Sequence, residues 1–183
     1  MTSSGKLIHH PRRAMKNEWY TPPDILTTAR DVLGVIDLDP ASSEIANLTV
    51  HATRYYTIEQ DGLAQKWYGN VWLNPPYTQP ACAQFCHKAA EAFGAGEITA
   101  AIVLVNNATE TGYFQRLLDV ASGVCFPAQR VKFLDPEGRP SNRSLQGQAL
   151  VYLGPETSRF RSSFGRFGAV LTVPPAMQMK EAI

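Results

Sequence analysis

An open α/β sheet with helices on both faces is the fold class that this sequence predicts, on three observations. Short apolar runs alternate with amphipathic stretches along the chain, the pattern of strand–helix–strand units. The run Ala100 to Val105 is uniformly apolar, as a central parallel strand covered on both faces must be. Polar residues directly follow the apolar runs, at Asp37, Asp39, Asn74 to Tyr77, Asn106 and Asn107. In such sheets ligands bind outside the carboxyl ends of the strands.

The elements follow in order. Residues 1–16 carry no periodic apolar pattern and read as a flexible basic arm. Thr21-Pro22-Pro23-Asp24 opens a helix, with Thr21 as cap, Pro22 in the first turn and Asp24 completing a variant capping box; it runs to Leu33 and stops at Gly34. Val35 to Leu38 is a short β-branched run, hence a buried strand, and Val71-Trp72-Leu73 is another. A second helix starts at Pro80, continues through Phe85, Ala89, Ala92 and Phe93, and meets Gly94 and Gly96 as stops. Gly112 to Val120 reads as helix, and a basic helix lies near Arg159 to Phe167. Val131 to Leu134, Ala149 to Leu153 and Ala169 to Val173 read as strands. Residues 17–173 form one domain on this reading, and 174–183 a flexible tail.

Composition narrows the class. With 183 residues, 44% hydrophobic and 18% charged, the chain is long enough to bury about 70% of its unfolded surface without a metal or disulfide. No apolar run approaches the roughly 20 residues of a membrane span, and the opening lacks a secretory signal. Cys82, Cys86 and Cys125 suit a reducing compartment. Cys82, Cys86 and His87 lack a further ligand and a second spaced pair, so they read as buried thiols and no metal is expected. The net charge of +1 hides a pattern: residues 1–16 carry +4, residues 17–126 hold twelve acids against five bases, and residues 127–167 hold seven bases against three acids. Two basic segments around an acidic middle suit either a polyanionic partner, whose phosphates Lys and Arg would contact, or a solvated surface.

Asn74-Pro75-Pro76-Tyr77 is the most informative tetrapeptide. Two prolines lock φ and remove two N–H donors, leaving a stiff loop that presents carbonyl oxygens and the Asn74 amide oxygen, with the flat ring of Tyr77 at its end. An exocyclic amine on an aromatic ring needs two acceptors and a stacking partner, and this loop could supply all three.

These residues make the chain resemble the phage-type DNA adenine-N6 methyltransferases. The resemblance runs from about Glu18 to Leu153, through Glu18-Trp19-Tyr20-Thr21-Pro22, Asp37-Leu38-Asp39-Pro40-Ala41-Ser42, Asp61-Gly62-Leu63, Trp67, Asn74-Pro75-Pro76-Tyr77, Arg130-Val131-Lys132-Phe133 and Gly147-Gln148-Ala149-Leu150-Val151. The proline corner alone is shared with enzymes acting on glutamine, guanine or cytosine amines; the combination with the other blocks is specific. The resemblance implies a reduced Rossmann-like methyltransferase fold, with a single mostly parallel sheet, that uses S-adenosyl-L-methionine (SAM) in the cytoplasm of a phage-bearing bacterium. It implies that Tyr20, Thr21 and Pro22 cradle the methionine end of SAM, that Asp37 or Asp39 lies near its amino or ribose groups, and that Asp61 accepts from its adenine amine. Asn74 and Pro75 would bind the target N6 amine, with Pro76 stiffening the corner and Tyr77 stacking on an adenine flipped out of DNA. Carboxylates suit a cofactor with a sulfonium and an ammonium, and the acidic middle is where they fall.

Two departures stand out. No Gly-x-Gly loop follows the first strand, and only residues 40–70 separate Asp39 from Val71, which predicts a cut-down sheet. Sequence reading in DNA falls to the loop 135–146 and the basic arm. Arg139, Asn142 and Arg143 are types that pair with base edges or contact phosphate, and Arg130 and Lys132 add positive charge beside them. The alternatives are the same fold acting on another amine, such as cytosine N4, RNA guanine or protein glutamine, or a silent DNA- or SAM-binding module.

Overall fold

A computed structural model of the protein describes residues 19–135, 137–140 and 146–172. The basic arm 1–16, the tail 174–183, Asn142 and Arg143 lie outside the described residues. Among these the order is α1 (Pro23–Leu33), β1 (Leu38–Asp39), α2 (Glu44–Val50), β2 (Arg54–Tyr55), β3 (Gly69–Leu73), α3 (Ala81–Gly94), β4 (Ile98–Asn106), α4 (Gly112–Leu118), β5 (Gly123–Pro127), β6 (Gln148–Leu153), α5 (Thr157–Phe164) and β7 (Gly168–Thr172).

The seven strands form one sheet in the order β2-β1-β3-β4-β6-β5-β7. The β2, β1, β3 and β4 strands are parallel, β6 runs against β4 and β5, and β7 runs against β5. Five of the seven strands therefore point one way. The period-2 alternation of side chains splits the core in two. Val71, Leu73, Ala101, Val103 and Val151 pack under α3 and α4 through Phe85, Cys86, Ala89, Phe114 and Leu117. Trp72, Ile102, Leu104, Leu150 and Tyr152 pack under α1 and α5 through Leu26, Ala29, Phe160 and Phe164. Helices thus cover both faces, and the three cysteines are buried free thiols.

Several predicted elements change on contact with the structure. The α1 helix starts at Pro23, with Pro22 in the N-cap position and no side-chain cap; Asp24 Oδ1 accepts from its neighbour Ile25 N–H at 2.9 Å, so neither the Thr21 cap nor the capping box forms. Thr21 is turned instead to the end of the sheet, where Asn74 engages it. The first strand pairs only over Leu38–Asp39, and Val35 is 60% exposed. Residues 131–134 form no strand. Leu134 makes isolated bridges to Tyr20 and Pro140, while Val131 and Phe133 are buried around an exposed Lys132. The alternation that predicts a strand there reflects packing of every second side chain, without a ladder.

The unpredicted elements are short. The α2 helix buries only Val50 and owes its start to Ser43, whose Oγ accepts from Ala46 N–H. The β2 strand has two residues, and β5 is bounded by Gly123 and Pro127. The segment 40–70 holds only α2 and β2 before β3 begins, so β1 and β2 are two-residue strands, but the expected cut-down sheet does not follow: the sheet keeps seven strands. Register places the working edge: Leu38 lies opposite Val71, Leu73 opposite Val103, and Asn106 opposite Gln148. The carboxyl ends of β1, β3 and β4 and the start of β6 therefore share one side of the sheet.

Candidate active site

The proline corner stands directly beyond β3 on that edge. Leu73 faces α3, so Asn74 falls on the α1 face, and its Nδ2 donates to Thr21 Oγ1 at 3.4 Å. Thr21 is 5% exposed. The Asn74 Oδ1 atom is buried and has no hydrogen-bond partner. An unpaired buried acceptor of this kind costs about 1–3 kcal/mol, and native proteins carry few of them outside functional sites. Pro75 is buried and Pro76 exposed, so the backbone beside this oxygen offers no N–H to satisfy it.

Tyr77 ends the corner. Its hydroxyl donates to Leu104 O at 3.4 Å on the neighbouring strand, and its ring meets Phe133 edge-on at 6.0 Å. Burial pushes the phenol well above its ordinary pKa, so it stays neutral. Tyr20, in turn, exchanges backbone hydrogen bonds with Leu134 at 3.0 and 2.8 Å. Three sequence blocks far apart in the chain, around residues 20, 75 and 132, are therefore tied to one another: Thr21 to Asn74, Tyr77 to Phe133, Leu134 to Tyr20.

The acidic residues lie on the β1 side. Asp37 is level with Asn70, four residues short of Asn74, and its Oδ2 accepts from Asn70 N–H at 2.7 Å; a Cβ on Gly69 would fall 2.3 Å from that oxygen. Asp39 is two residues nearer the edge, 3% exposed, and accepts from Ala41 N–H at 3.2 Å. Burial raises its pKa to about 7, only partly offset by the Ala41 N–H. Asp61 is exposed with φ 50°, and its Oδ1 accepts from Leu63 N–H at 3.1 Å, an Asx turn. Gly62 presses that turn onto the first motif, since a Cβ there would lie 1.8 Å from Pro40 O. Trp67 Nε1 donates to Gly62 O at 2.8 Å, and Lys88 Nζ donates to Leu63 O and Gln65 O at 2.6 Å each while lying over the Trp67 ring. The Asp39 and Asp61 motifs, 22 residues apart, are thus packed as one unit.

Sequence reading gave no role to Gln148. It is 4% exposed, its Nε2 donates to Asn106 Oδ1 at 3.1 Å, and its Oε1 is buried without a partner. A glutamine opening an otherwise apolar, fully buried strand was the available signal. Lys88 and Gly62 were equally silent, because their importance lies in backbone contacts.

Of the predicted DNA-contacting residues, the three that are described, Arg130, Lys132 and Arg139, are exposed. Arg130 and Lys132 flank buried Val131. Arg139 pairs at 2.9 Å with both Asp135 and Glu137 of its own loop, and the Arg139 N–H and guanidinium hold the Asp135 carboxyl below its usual range. Surface pairs of this kind exchange readily with solvent.

Among the described residues no helix is long and apolar enough to cross a membrane. A mostly parallel seven-stranded sheet with a proline corner at the carboxyl end of an inner strand, acids to one side and amides to the other, is consistent with a Rossmann-like methyltransferase architecture. The chain matches the family described as DNA N-6-adenine-methyltransferase (Dam) over residues 9–169, and it belongs to that family. It is similar to the DNA N-6-adenine-methyltransferase of Escherichia phage T1, with 34% identity over 70 residues, which are 37% of this chain and 28% of that protein. The chain thus matches little more than a quarter of that relative's length. No solved structure matches it.

Proposed function

We propose that the protein methylates the N6 amine of an adenine extruded from duplex DNA, with S-adenosyl-L-methionine as donor. The observation that carries this reading is the buried, unpaired Asn74 Oδ1 beside two donor-free prolines. That oxygen is an acceptor without a donor, and an amino-purine brings the donor.

The residues present suit the cofactor. Among the described residues no cation lies beside the buried Asp39 carboxyl to lower its pKa, as an ammonium or ribose hydroxyl would do. Thr21 and the backbone around Tyr20 and Pro22 border Asn74 and would hold the methionine end; the Asp61 turn would take the adenine amine. Between the two candidate acids Asp39 is favoured, because Asp37 already binds the β3 backbone. The bound cofactor would supply a methyl group activated by its sulfonium.

The protein's own contribution is positioning and electrostatics. Asn74 Oδ1 and the Pro75 carbonyl would accept the two N6 protons, and become better partners as positive charge grows on nitrogen. The locked prolines hold those oxygens at a fixed separation, which supplies the proximity term. Tyr77 would stack on the base, repaying part of the few kcal/mol that extrusion costs. Arg130 and Lys132, with the loop around 135–146, would contact the duplex.

Incubating the purified protein with methyl-labelled SAM and separately with DNA, RNA and protein, followed by nucleoside and amino-acid analysis, tests the reading. Label in N6-methyldeoxyadenosine is the expected result. Label in N4-methylcytosine, in RNA or in glutamine, or none at all, would overturn it.

A further inference from the structure

Between β2 and β3 the chain runs through residues 56–68 without a helix or strand. Connections of about 12–15 residues with no regular structure are uncommon and usually functional, and this one needs something in place of a ladder to hold its shape. Its carbonyls turn inward. Gln60 O accepts from Gln65 Nε2 at 2.7 Å, Asp61 O from Ala64 N–H at 2.9 Å, and Gly62 O from the buried Trp67 indole at 2.8 Å. Leu63 O and Gln65 O are met from outside the loop: both converge on Lys88 Nζ of α3, 2.6 Å from each. The ammonium also lies over the Trp67 ring, 5.3 Å from its centre, and Phe85, three residues earlier on α3, stacks on the same indole.

What the loop presents outward is Asp61. Leu63 stands between the two charges: its N–H donates to Asp61 Oδ1 at 3.1 Å, and its carbonyl accepts from Lys88. Partial burial lowers the Lys88 pKa while Asp61 and Glu97 act in the opposite sense, so the Asp61 carboxylate is near enough for its charge to be felt. Gly62 presses the same turn onto Pro40 O, next to Asp39. A lysine suits this place. Its compact ammonium has three donors to turn toward carbonyls that converge on one atom, whereas the planar fork of an arginine needs acceptors set farther apart.

We propose that Lys88 is a positioning residue for the cofactor: by gripping the Leu63 and Gln65 carbonyls, its ammonium holds the Asp61 carboxylate where it accepts a hydrogen bond from the adenine amine of S-adenosyl-L-methionine. The inference rests on the functional reading above, in which the Asp61 turn takes that amine. Lys88 touches neither the cofactor nor the reacting atoms on this assignment and acts through the loop alone.

The test is calorimetry on the full chain with S-adenosylhomocysteine and with S-inosylhomocysteine, whose purine carries a carbonyl oxygen where adenine carries the amine. The wild type should prefer the adenosyl compound by about tenfold or more, the scale of one hydrogen bond to a charged group. Lys88→Met, which keeps an apolar stem of similar length without the ammonium, should lower that preference several-fold while the affinity for the inosyl compound changes little. A merely structural loss would weaken both compounds alike and leave the preference intact, which would overturn the proposal. Lys88→Gln, which keeps two N–H donors on a shorter neutral stem, should fall between the two and carries the test where Lys88→Met does not fold. Asp61→Asn, which keeps an oxygen for Leu63 N–H, should lower the preference by itself, and adding Lys88→Met to it should lower the preference no further. Preference lost in Asp61→Asn but undiminished in the Lys88 variants would overturn the role of Lys88 alone. Preference undiminished in Asp61→Asn would instead overturn the cofactor reading of Asp61 and the proposal with it, so the two failures are distinguishable.

Discussion

The two arms of the sheet edge, one on either side of the proline corner, are built on opposite electrostatic plans. On the β1 arm the functional candidates are carboxyls, Asp39 and Asp61, and each already accepts a hydrogen bond from its own turn, from Ala41 and Leu63 N–H. On the β3–β6 arm they are neutral amides, and the acceptor oxygens of Asn74 and Gln148 have no partner. Acids match a cationic ligand, and preformed turns hold them in place. Neutral amide oxygens match an uncharged donor, and those of Asn74 and Gln148 have lone pairs that no described residue satisfies. On the proposed function, the β1 arm would take the cofactor and the β3–β6 arm the base.

The largest expected effect separates the arms by pH. The Asp39 pKa of about 7 in the folded protein stands above its ordinary value of 3.8. Between those values the folded state holds a proton that the unfolded state has lost, so stability falls as pH rises from about 4 to about 7 and is lower by about 4 kcal/mol above that window. Without cofactor, Asp39→Asn should therefore raise Tm at pH 8 and converge on the wild type at pH 4. Cofactor affinity should rise with pH through about 7 in the wild type only, because donors prefer the ionised carboxylate. Thermal melts and titration calorimetry across pH 4–8 check both, and a flat Tm difference would show that Asp39 is not a buried, uncompensated acid.

Asn74→Ala acts on the other arm. It should lower kcat by about 10²–10³-fold, the usual consequence of removing one preorganised partner from a developing charge, with the cofactor Kd unchanged. Single-turnover methyl transfer beside calorimetry reads the split. Loss of cofactor binding together with turnover would collapse the two arms into one.

Gly62→Ala probes the junction of the acidic motifs. The added Cβ would meet Pro40 O at 1.8 Å, so the Asp61 turn must move off the Asp39 motif, at about 1–3 kcal/mol. A rise in cofactor Kd with unchanged DNA affinity is expected; an unaltered Kd would free Asp61 from any cofactor role. Tyr77→Ala should cost about 1–3 kcal/mol in target-base binding, measured as the loss of Kd difference between duplexes with and without the target site.

The extent to which the chain could be read beforehand follows physical lines. The α1 and α3 helices were legible because their apolar periodicity is long and their ends carry Pro or Gly, and β4 because its apolar run is unbroken. The corner was legible because two adjacent prolines after a buried run have a local meaning. Thr21 was misread as a cap, since its true partner, Asn74, is 53 residues away and nothing local competes with the capping pattern. Residues 131–134 were misread as a strand because burial of Val131 and Phe133 gives the same period as a ladder. Gln148 went unassigned because its significance is an absence of partners, and absence is visible only in three dimensions. Asp37 and Asp39 could not be ranked without the register that sets one level with Asn70 and the other two residues nearer the edge.

The smallest effects belong to the exposed basic residues, and here two neighbours should differ. Lys132 projects from between buried Val131 and Phe133, so its position is fixed by the core although its charge is in water. Arg139 is held by Asp135 and Glu137, and the three side chains together carry one net negative charge. A phosphate approaching that cluster meets no net attraction, whereas one approaching Lys132 does. Lys132→Ala should therefore weaken DNA binding equally on all sequences and reduce the salt dependence of log Kd by about one unit. Arg139→Ala should leave the salt slope unchanged and alter affinity by less than about 1 kcal/mol. Binding titrations on site and non-site duplexes over a range of salt separate the two. Equal slopes would place Arg139 on a phosphate, and a preference relaxed at one base pair in Arg139→Ala would mean that it leaves its carboxylates to read a base edge.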